Sequence, residues 1–405
     1  MITFNCAPSS TSSGNGKART SYKKNFSIDI HCHVHTEEAA KLAEDAFSPE
    51  KEPALRHATM HSNQVNQKQM ADLHPKLTQL SERIADMDQM GIDIQAISPS
   101  PFQFYYYTEP DLGRILSRTV NENLAAAASK YPDRFVPFGT VPLQDPRLAV
   151  EELSYCVKEL GMRGIEISSQ VNGTELTHAG LEPFWSKVCE LEVLLFMHPL
   201  GFTEGTRLTD HYFNNIIGNP LESTLAVSHM IFDGVFERHQ KLKLCVAHGG
   251  GYLPTYARRM DHAHAVRPDC REKIERAPTE YLKQVYFDSV VFDPEHLAHL
   301  VRLYGADHVL LGTDYPYDMG EPDPVGLVDR VSSISATERE KIVGGNALRL
   351  LGLEFTDKLL SIAIGLRAVM REALSLYLNR CMANTVVSPK GFVCFLKQSG
   401  RRNLL

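Results

Sequence analysis

Eight short apolar runs rich in β-branched residues, each followed by a polar turn and a longer stretch, constrain this chain most. They are SIDIHCH (27–33), IDIQAIS (92–98), FVPFGTV (135–141), GIEIS (164–168), VLLFMH (193–198), LKLCVAH (242–248), VYFDSV (285–290) and HVLLGTD (308–314). Short, nearly continuous apolar runs are the pattern of strands buried on both faces. Between them, 77–90, 111–131, 147–161 and 294–305 carry apolar residues at helical spacing. Strands alternating with helices pair in parallel, and eight such units predict a closed (β/α)8 barrel. The alternative, a doubly wound open sheet, would bring a G-x-G-x-x-G turn after an early strand, and none follows.

A chain of 405 residues has room for a barrel of about 250 residues and for additions to it. The barrel is expected over 27–353. Residues 1–26, rich in Ser, Gly, Asn and Lys, read as a disordered N-terminal arm. Residues 36–76 are polar and without clear period, which suits an insertion or flap over the barrel mouth. Residues 201–220 mix Gly, aromatics and Asn, as pocket-lining loops do. Over 354–405 a helical pattern gives way to a basic, partly apolar end, a C-terminal extension to which the sequence assigns no role.

The net charge of −7 and pI near 6.2 argue against nucleic acid as the main partner, since phosphate binding needs a basic face. A small molecule is the expected substrate. The eight cysteines are scattered with no C-x-x-C pair, which fits a reducing compartment. No apolar run is long enough for a signal peptide or a membrane span, so a cytoplasmic location is expected.

The polar residues that break these runs sit at their ends. His31 and His33 close the first strand, His198 the fifth, His248 the sixth and Asp314 the eighth. Barrels of this kind build active sites at the C-terminal ends of their strands. Five metal-capable side chains, far apart in the chain, are thus expected at one mouth. Alternation along a strand turns His31 and His33 to one side and Cys32 to the other. Three imidazoles and a carboxylate suit zinc or a similar divalent ion, with a position left for water whose pKa the metal lowers toward about 7. Asp314, in LLGTDYP, reads as a ligand that also accepts that water's proton, or else as a plain turn cap. His248, in VAHGGGYLPTYARR, reads as the general acid/base, because histidine titrates near working pH. The three glycines would let the backbone approach a ligand, or simply make the turn before a helix. His35, His57, His61, His74, His178, His262 and His264 are taken as surface or rim residues.

IDIHCH, MHPLG, VAHGGGYLPTYARRMD and LLGTDYPYDMGE, in this order, resemble the amidohydrolase-related decarboxylases, above all the branch acting on aminocarboxymuconate semialdehyde. RIADMDQMGIDIQAIS, YPDRFVPFGTVPLQDP and GNALRLLGL extend the likeness across roughly 27–353. The resemblance implies a (β/α)8 barrel of the metal-dependent amidohydrolase type with one Zn2+ per subunit, Mn2+ in some relatives. It implies non-oxidative release of CO2 from a small unsaturated or aromatic carboxylic acid, of the muconate-semialdehyde or hydroxybenzoate type. By the same resemblance His31, His33, His198 and Asp314 are the metal ligands, and His248 with Asp314 is catalytic. Arg259 would reach into the neighbouring subunit's site of a homodimer and grip the substrate carboxylate, for which its planar fork is suited.

Three positions depart from that branch. His74, within LHPK, stands near the place of an arginine; Leu200 replaces a tryptophan after His-Pro; Tyr317 replaces a phenylalanine. All three are expected at the substrate pocket, which leaves the particular acid open. The fourth strand carries Glu166 where many hydrolytic amidohydrolases carry a carboxylated lysine, favouring one metal over two. Two further readings use the same residues: hydrolysis or hydration of a lactone or amide by metal-activated water, and a barrel kept only for binding.

Overall fold

The computed structural model describes residues 26–353. The arm expected over 1–26, Phe26 apart, and the extension over 354–405 lie outside the described residues. Eight parallel strands follow one another around a sheet: β1 (Ile28–Val34), β2 (Ile94–Pro99), β3 (Phe135–Gly139), β4 (Gly164–Ile167), β5 (Leu194–Met197), β6 (Lys243–Val246), β7 (Val285–Asp288) and β8 (Val309–Leu310). The ladder of β8 is short because its continuation bonds across the seam to β1. Ile30 N–H donates to Leu311 O at 2.9 Å, Asp314 N–H to His31 O at 2.8 Å and His33 N–H to Tyr315 O at 2.8 Å. These bonds shut the sheet into the barrel that eight alternating units predict.

The longer helices are α1 (Met60–Thr78), α2 (Leu80–Met90), α3 (Pro110–Lys130), α4 (Pro146–Lys158), α5 (Glu182–Leu191), α6 (Gly218–Phe232), α7 (Leu253–Val266) and α8 (Pro294–Tyr304). Proline opens α3, α4 and α8, where its fixed φ and missing N–H suit the first turn. Asp145 and Asp293 cap α4 and α8 through their side chains. The stretch read as one helix over 77–90 is broken at Gln79, whose backbone is extended. The insertion over 36–76 is largely helical, which its sequence hides. Its longest helix, α1, buries only Gln69, Leu73 and Leu77 and turns amides to a cavity, so no apolar stripe marks it. No described helix is long and apolar enough to cross a membrane.

Ile28, Ile30, Ala96, Phe138, Phe196 and Leu310 pack inside the barrel, closed below by Ala347, Leu350 and Leu351. Cys32, Ile97, Ile165 and Leu195 face the helices instead. On β1 these two sets do not alternate evenly. Asp29 pairs with Gln95 but Cys32 with Ile97, so β1 holds one extra residue against β2. Such a bulge re-aims the side chains that follow it. Ile30 and His31 consequently both face inward, whereas strict alternation from Ile28 and Ile30 would have sent His31 and His33 outward. Asp29 pins the bulge, accepting from His31 N–H at 3.0 Å, Gln95 Nε2 at 2.9 Å and Thr313 Oγ1 at 2.7 Å.

The interior tolerates little added volume. A Cβ on Gly164 would stand 2.5 Å from the Phe138 ring. Gly164→Ala is expected to cost about 1–3 kcal/mol by overpacking, read as a lower Tm; an unchanged Tm would show that the interior yields.

Candidate metal centre and cavity

β1 delivers His31 and His33; the chain leaving β5, β6 and β8 delivers His198, His248 and Asp314. One ligand atom from each of His31, His33, His198 and Asp314 lies within 4.8 Å of the others, and all four residues are buried. Asp314 Oδ1 is 3.3 Å from His31 Nε2 and 3.2 Å from His33 Nε2. The His248 ring lies 5.3 Å from that of His31 and 5.0 Å from that of His198, with Nε2 3.6 Å from Asp314 Oδ2. Both His248 (φ 56°) and Asp314 (φ 59°) hold left-handed backbone, a strain that non-glycine residues keep only where the surroundings impose it.

The donor set fits a divalent cation. His31 Nδ1 donates to Asp288 Oδ2 at 2.5 Å and His33 Nδ1 to Pro99 O at 3.0 Å, which leaves each Nε2 for the centre. His31 Nε2 and both nitrogens of His198 are buried without a hydrogen-bond partner among the described residues, a cost of about 1–3 kcal/mol for each bare group. Burial, reinforced by the His33, His248 and His31 rings, holds His198 well below its ordinary pKa, in the neutral form that ligates. Burial opposes charge on His31, yet Asp314 and Asp288 push its pKa up to about 10, so the centre draws positive charge. Three imidazole nitrogens and one carboxylate oxygen meeting at this separation could hold one zinc-like ion.

Three supporting residues escaped the sequence reading. Asp288, at the end of β7, accepts from His31 Nδ1 and also from the N–H groups of His248 at 3.0 Å and Gly249 at 2.7 Å. Its signal was a polar residue ending an apolar strand, as in the other four cases. Arg83 of α2 is buried behind β1, donating to His33 O and, at 3.0 Å, to Gln95 Oε1. Asp29 has been described. The glycines after His248 serve the fold rather than a ligand: all three have positive φ, and Cβ atoms on Gly249 and Gly250 would meet Val291 and Phe287 at 2.4 and 2.5 Å. Glu166, inside β4, is buried with neither oxygen hydrogen-bonded among the described residues, Oε1 lying 3.8 Å from His33 Nδ1, and burial pushes its carboxyl well up.

Above the centre lies a cavity of about 500 Å3. His198, His248 and Asp314 reach it from the strand ends, Asn63, Asn66 and Met70 from α1, and Phe102 from the loop after β2. The 36–76 insertion thus covers the barrel mouth, and the 201–220 segment adds Tyr212, Asn215 and Asn219. No lysine or arginine is among the described residues that line it.

The amidohydrolase family model matches residues 28–353, most of the chain. The chain belongs to the amidohydrolase family. This amidohydrolase is 38% identical over 273 residues to 2-amino-3-carboxymuconate-6-semialdehyde decarboxylase of Dictyostelium discoideum, covering 67% of this chain and 76% of that one. It is 30% identical to the enzyme of the same name from Caenorhabditis elegans, over 82% of this chain and 95% of that one. The crystal structure of a dihydroxybenzoic acid decarboxylase from Polaromonas sp. JS666, with bound manganese and 2-nitroresorcinol, aligns with TM-score 0.70 at 25% identity. The match covers 82% of this chain and 98% of that one.

The pocket residues anticipated in this amidohydrolase fare differently. Tyr317 lines the cavity, its hydroxyl 2.6 Å from Ser100 Oγ and its ring 5.4 Å from that of His33. His74 does not line it. Its ring is half exposed on α1 and bonds Glu37 at 3.0 Å, because the helix presents Asn63, Asn66 and Met70 to the cavity and rotates His74 away. Leu200 turns to a small neighbouring pocket against Glu52 and Tyr106. Arg259 is exposed on α7 and outside the lining of its own subunit's cavity.

Proposed function

We propose that this protein is a metal-dependent, non-oxidative decarboxylase releasing CO2 from a small unsaturated or aromatic carboxylic acid of the muconate-semialdehyde or hydroxybenzoate type. The observation that carries this is the gathering of three imidazoles and Asp314 at one point, beside His248, on the floor of a covered cavity. His31, His33, His198 and Asp314 would hold one ion per subunit, zinc or, as in the Polaromonas relative, manganese. When bound, the ion supplies positive charge that draws a carboxylate or phenolate oxygen to the cavity floor.

His248 delivers a proton to the ring or chain carbon that bears the carboxylate. That carbon loses its place in the conjugated system, the bond to the carboxylate breaks, and its electrons rebuild the conjugation as CO2 leaves. The delivered proton stays in place of CO2. Asp314, 3.6 Å from His248 Nε2, orients the imidazole for the transfer.

A dimer belongs to the same reading. An anionic substrate in a cavity with no lysine or arginine among its described lining residues has the metal ion alone as a cation unless one comes from elsewhere, and exposed Arg259 shares α7 with exposed Tyr256. Arg259→Ala and His248→Ala, each inactive alone, are expected to recover about a quarter of native activity when mixed and reassociated, since each mixed dimer keeps one complete site. No recovery, or a monomer in sedimentation, would exclude the shared site. A cytoplasmic location completes the reading, supported by free Cys32, Cys156, Cys189, Cys245 and Cys270.

Asp288→Ala is expected to weaken metal binding about 10–100-fold, as loss of a partner orienting a ligand histidine does, measured by metal titration. The assay that tests the function follows CO2 release from carboxylated phenols and muconate-type acids beside ring opening of lactones. Ring opening without CO2 would reassign the centre to hydrolysis.

A further inference from the structure

Three amides of the 201–220 segment line the metal cavity, those of Asn214, Asn215 and Asn219. Asn214 is engaged at both ends: its Oδ1 accepts from Phe202 N–H at 2.8 Å and its Nδ2 donates to Pro53 O at 2.7 Å. Among the described residues, Asn215 is tied down only through its backbone N–H, to Tyr212 O. Asn219, in the first turn of α6, differs from both. It is 8% exposed, and its Oδ1 accepts from Gly201 N–H at 2.7 Å. Only the carbonyl end of a carboxamide can receive an N–H, so this bond fixes which end is which. Nδ2, with no partner among the described residues, is what Asn219 offers the cavity.

The frame around that amide is rigid. Gly201 has φ 75°, and a Cβ there would stand 2.7 Å from Ala54 N, so a backbone that suits only glycine aims its N–H at Asn219. On the other side, a Cβ on Gly251 would run into Pro220 O. Asn219 therefore sits between the segment that follows His198 and the turn that follows His248, and it shares the cavity wall with both histidines and Asp314. It is a preorganised donor at the metal end of the cavity, and being neutral it does not repel the ion.

We propose that Asn219 is a further catalytic residue, donating through Nδ2 to the conjugated oxygen of the substrate, the one that gains charge as CO2 leaves. Once His248 has protonated the carbon bearing the carboxylate, that oxygen is a carbonyl. The bond to the carboxylate then breaks, its electron pair passes through the conjugated system, and the carbonyl oxygen becomes an oxyanion. CO2 leaves uncharged, and the proton stays on carbon. A donor on the departing carboxylate would favour charge that this step removes, whereas a donor on the receiving oxygen favours the step. This role rests on the decarboxylase reading.

Two variants test it in the metal-loaded protein at neutral pH, on the acid from which the native protein releases CO2 fastest. Asn219→Asp keeps an acceptor for Gly201 N–H and removes the donor; Asn219→Leu keeps the volume. In both, kcat is expected to fall about 10²-fold or more, as on loss of an oxyanion donor, with metal content and Tm near native. KM should move less than about threefold in Asn219→Leu, and the carbon isotope effect on the released CO2 should grow, because bond breaking is the step that slows. A raised KM with kcat unchanged would mean that the amide only holds the ground state; native kcat in both variants would mean that it touches nothing that reacts. Either overturns the role. If Asn219→Leu fails to fold, Asn219→Asp decides. Native protein that releases no CO2 from any acid overturns the decarboxylase reading, and this role with it, before the variants are compared.

Discussion

Stripping the protein with a chelator is expected to abolish CO2 release, and about one equivalent of manganese or zinc per subunit to restore it. The two His198 nitrogens and His31 Nε2 have no hydrogen-bond partner among the described residues, so binding the ion is also expected to stabilise the fold. At a thousandfold excess over Kd that linkage is worth about 4 kcal/mol, and Tm should rise with metal concentration. His31→Ala should make the loss permanent. It removes a ligand and the imidazole that donates to Asp288 at 2.5 Å, leaving that carboxylate only its backbone N–H donors, a loss of about 1–3 kcal/mol. Elemental analysis and thermal unfolding check both halves. Full activity in stripped protein would end the metal assignment.

The second large effect separates holding the metal from moving the proton. His248→Ala is expected to lower kcat by about 10²–10⁴, the usual contribution of a positioned acid or base, while metal content stays near that of the native protein. The reason is geometric. His248 lies beside the four-residue centre and contacts it through Asp314 at 3.6 Å, so its removal leaves the three imidazoles and their orienting bonds in place. Loss of metal together with activity would show instead that His248 is part of the cage.

Much of the barrel was legible because each βα unit repeats one signal, an apolar run followed by a helical period. The convergence of His31, His33, His198, His248 and Asp314 was legible for the same reason, since strand ends share one rim. The residues behind them were not. Asp288 ends its strand as the others do, but its bond to the His31 ring joins residues 257 positions apart, and Asp29 accepts from the His31 backbone N–H two residues on along β1, a contact that only the bulge creates. α1 was read as a patternless flap because a helix fronting a polar cavity on one side and solvent on the other needs no apolar stripe. His74 was misplaced for a related reason: counting positions without a helical phase cannot say which side of α1 a residue occupies.

The extra residue in β1 makes the two halves of that strand unequally tolerant of change. Chain added or lost in the exposed turns of 36–76 changes the roof over the cavity and leaves β1 alone. Deleting Ile30 would straighten the ladder against β2 and bring His31 opposite Ala96, an interior position, so both leading imidazoles would stay inside the barrel while the bend that Asp29 holds, and one interior apolar side chain, were lost.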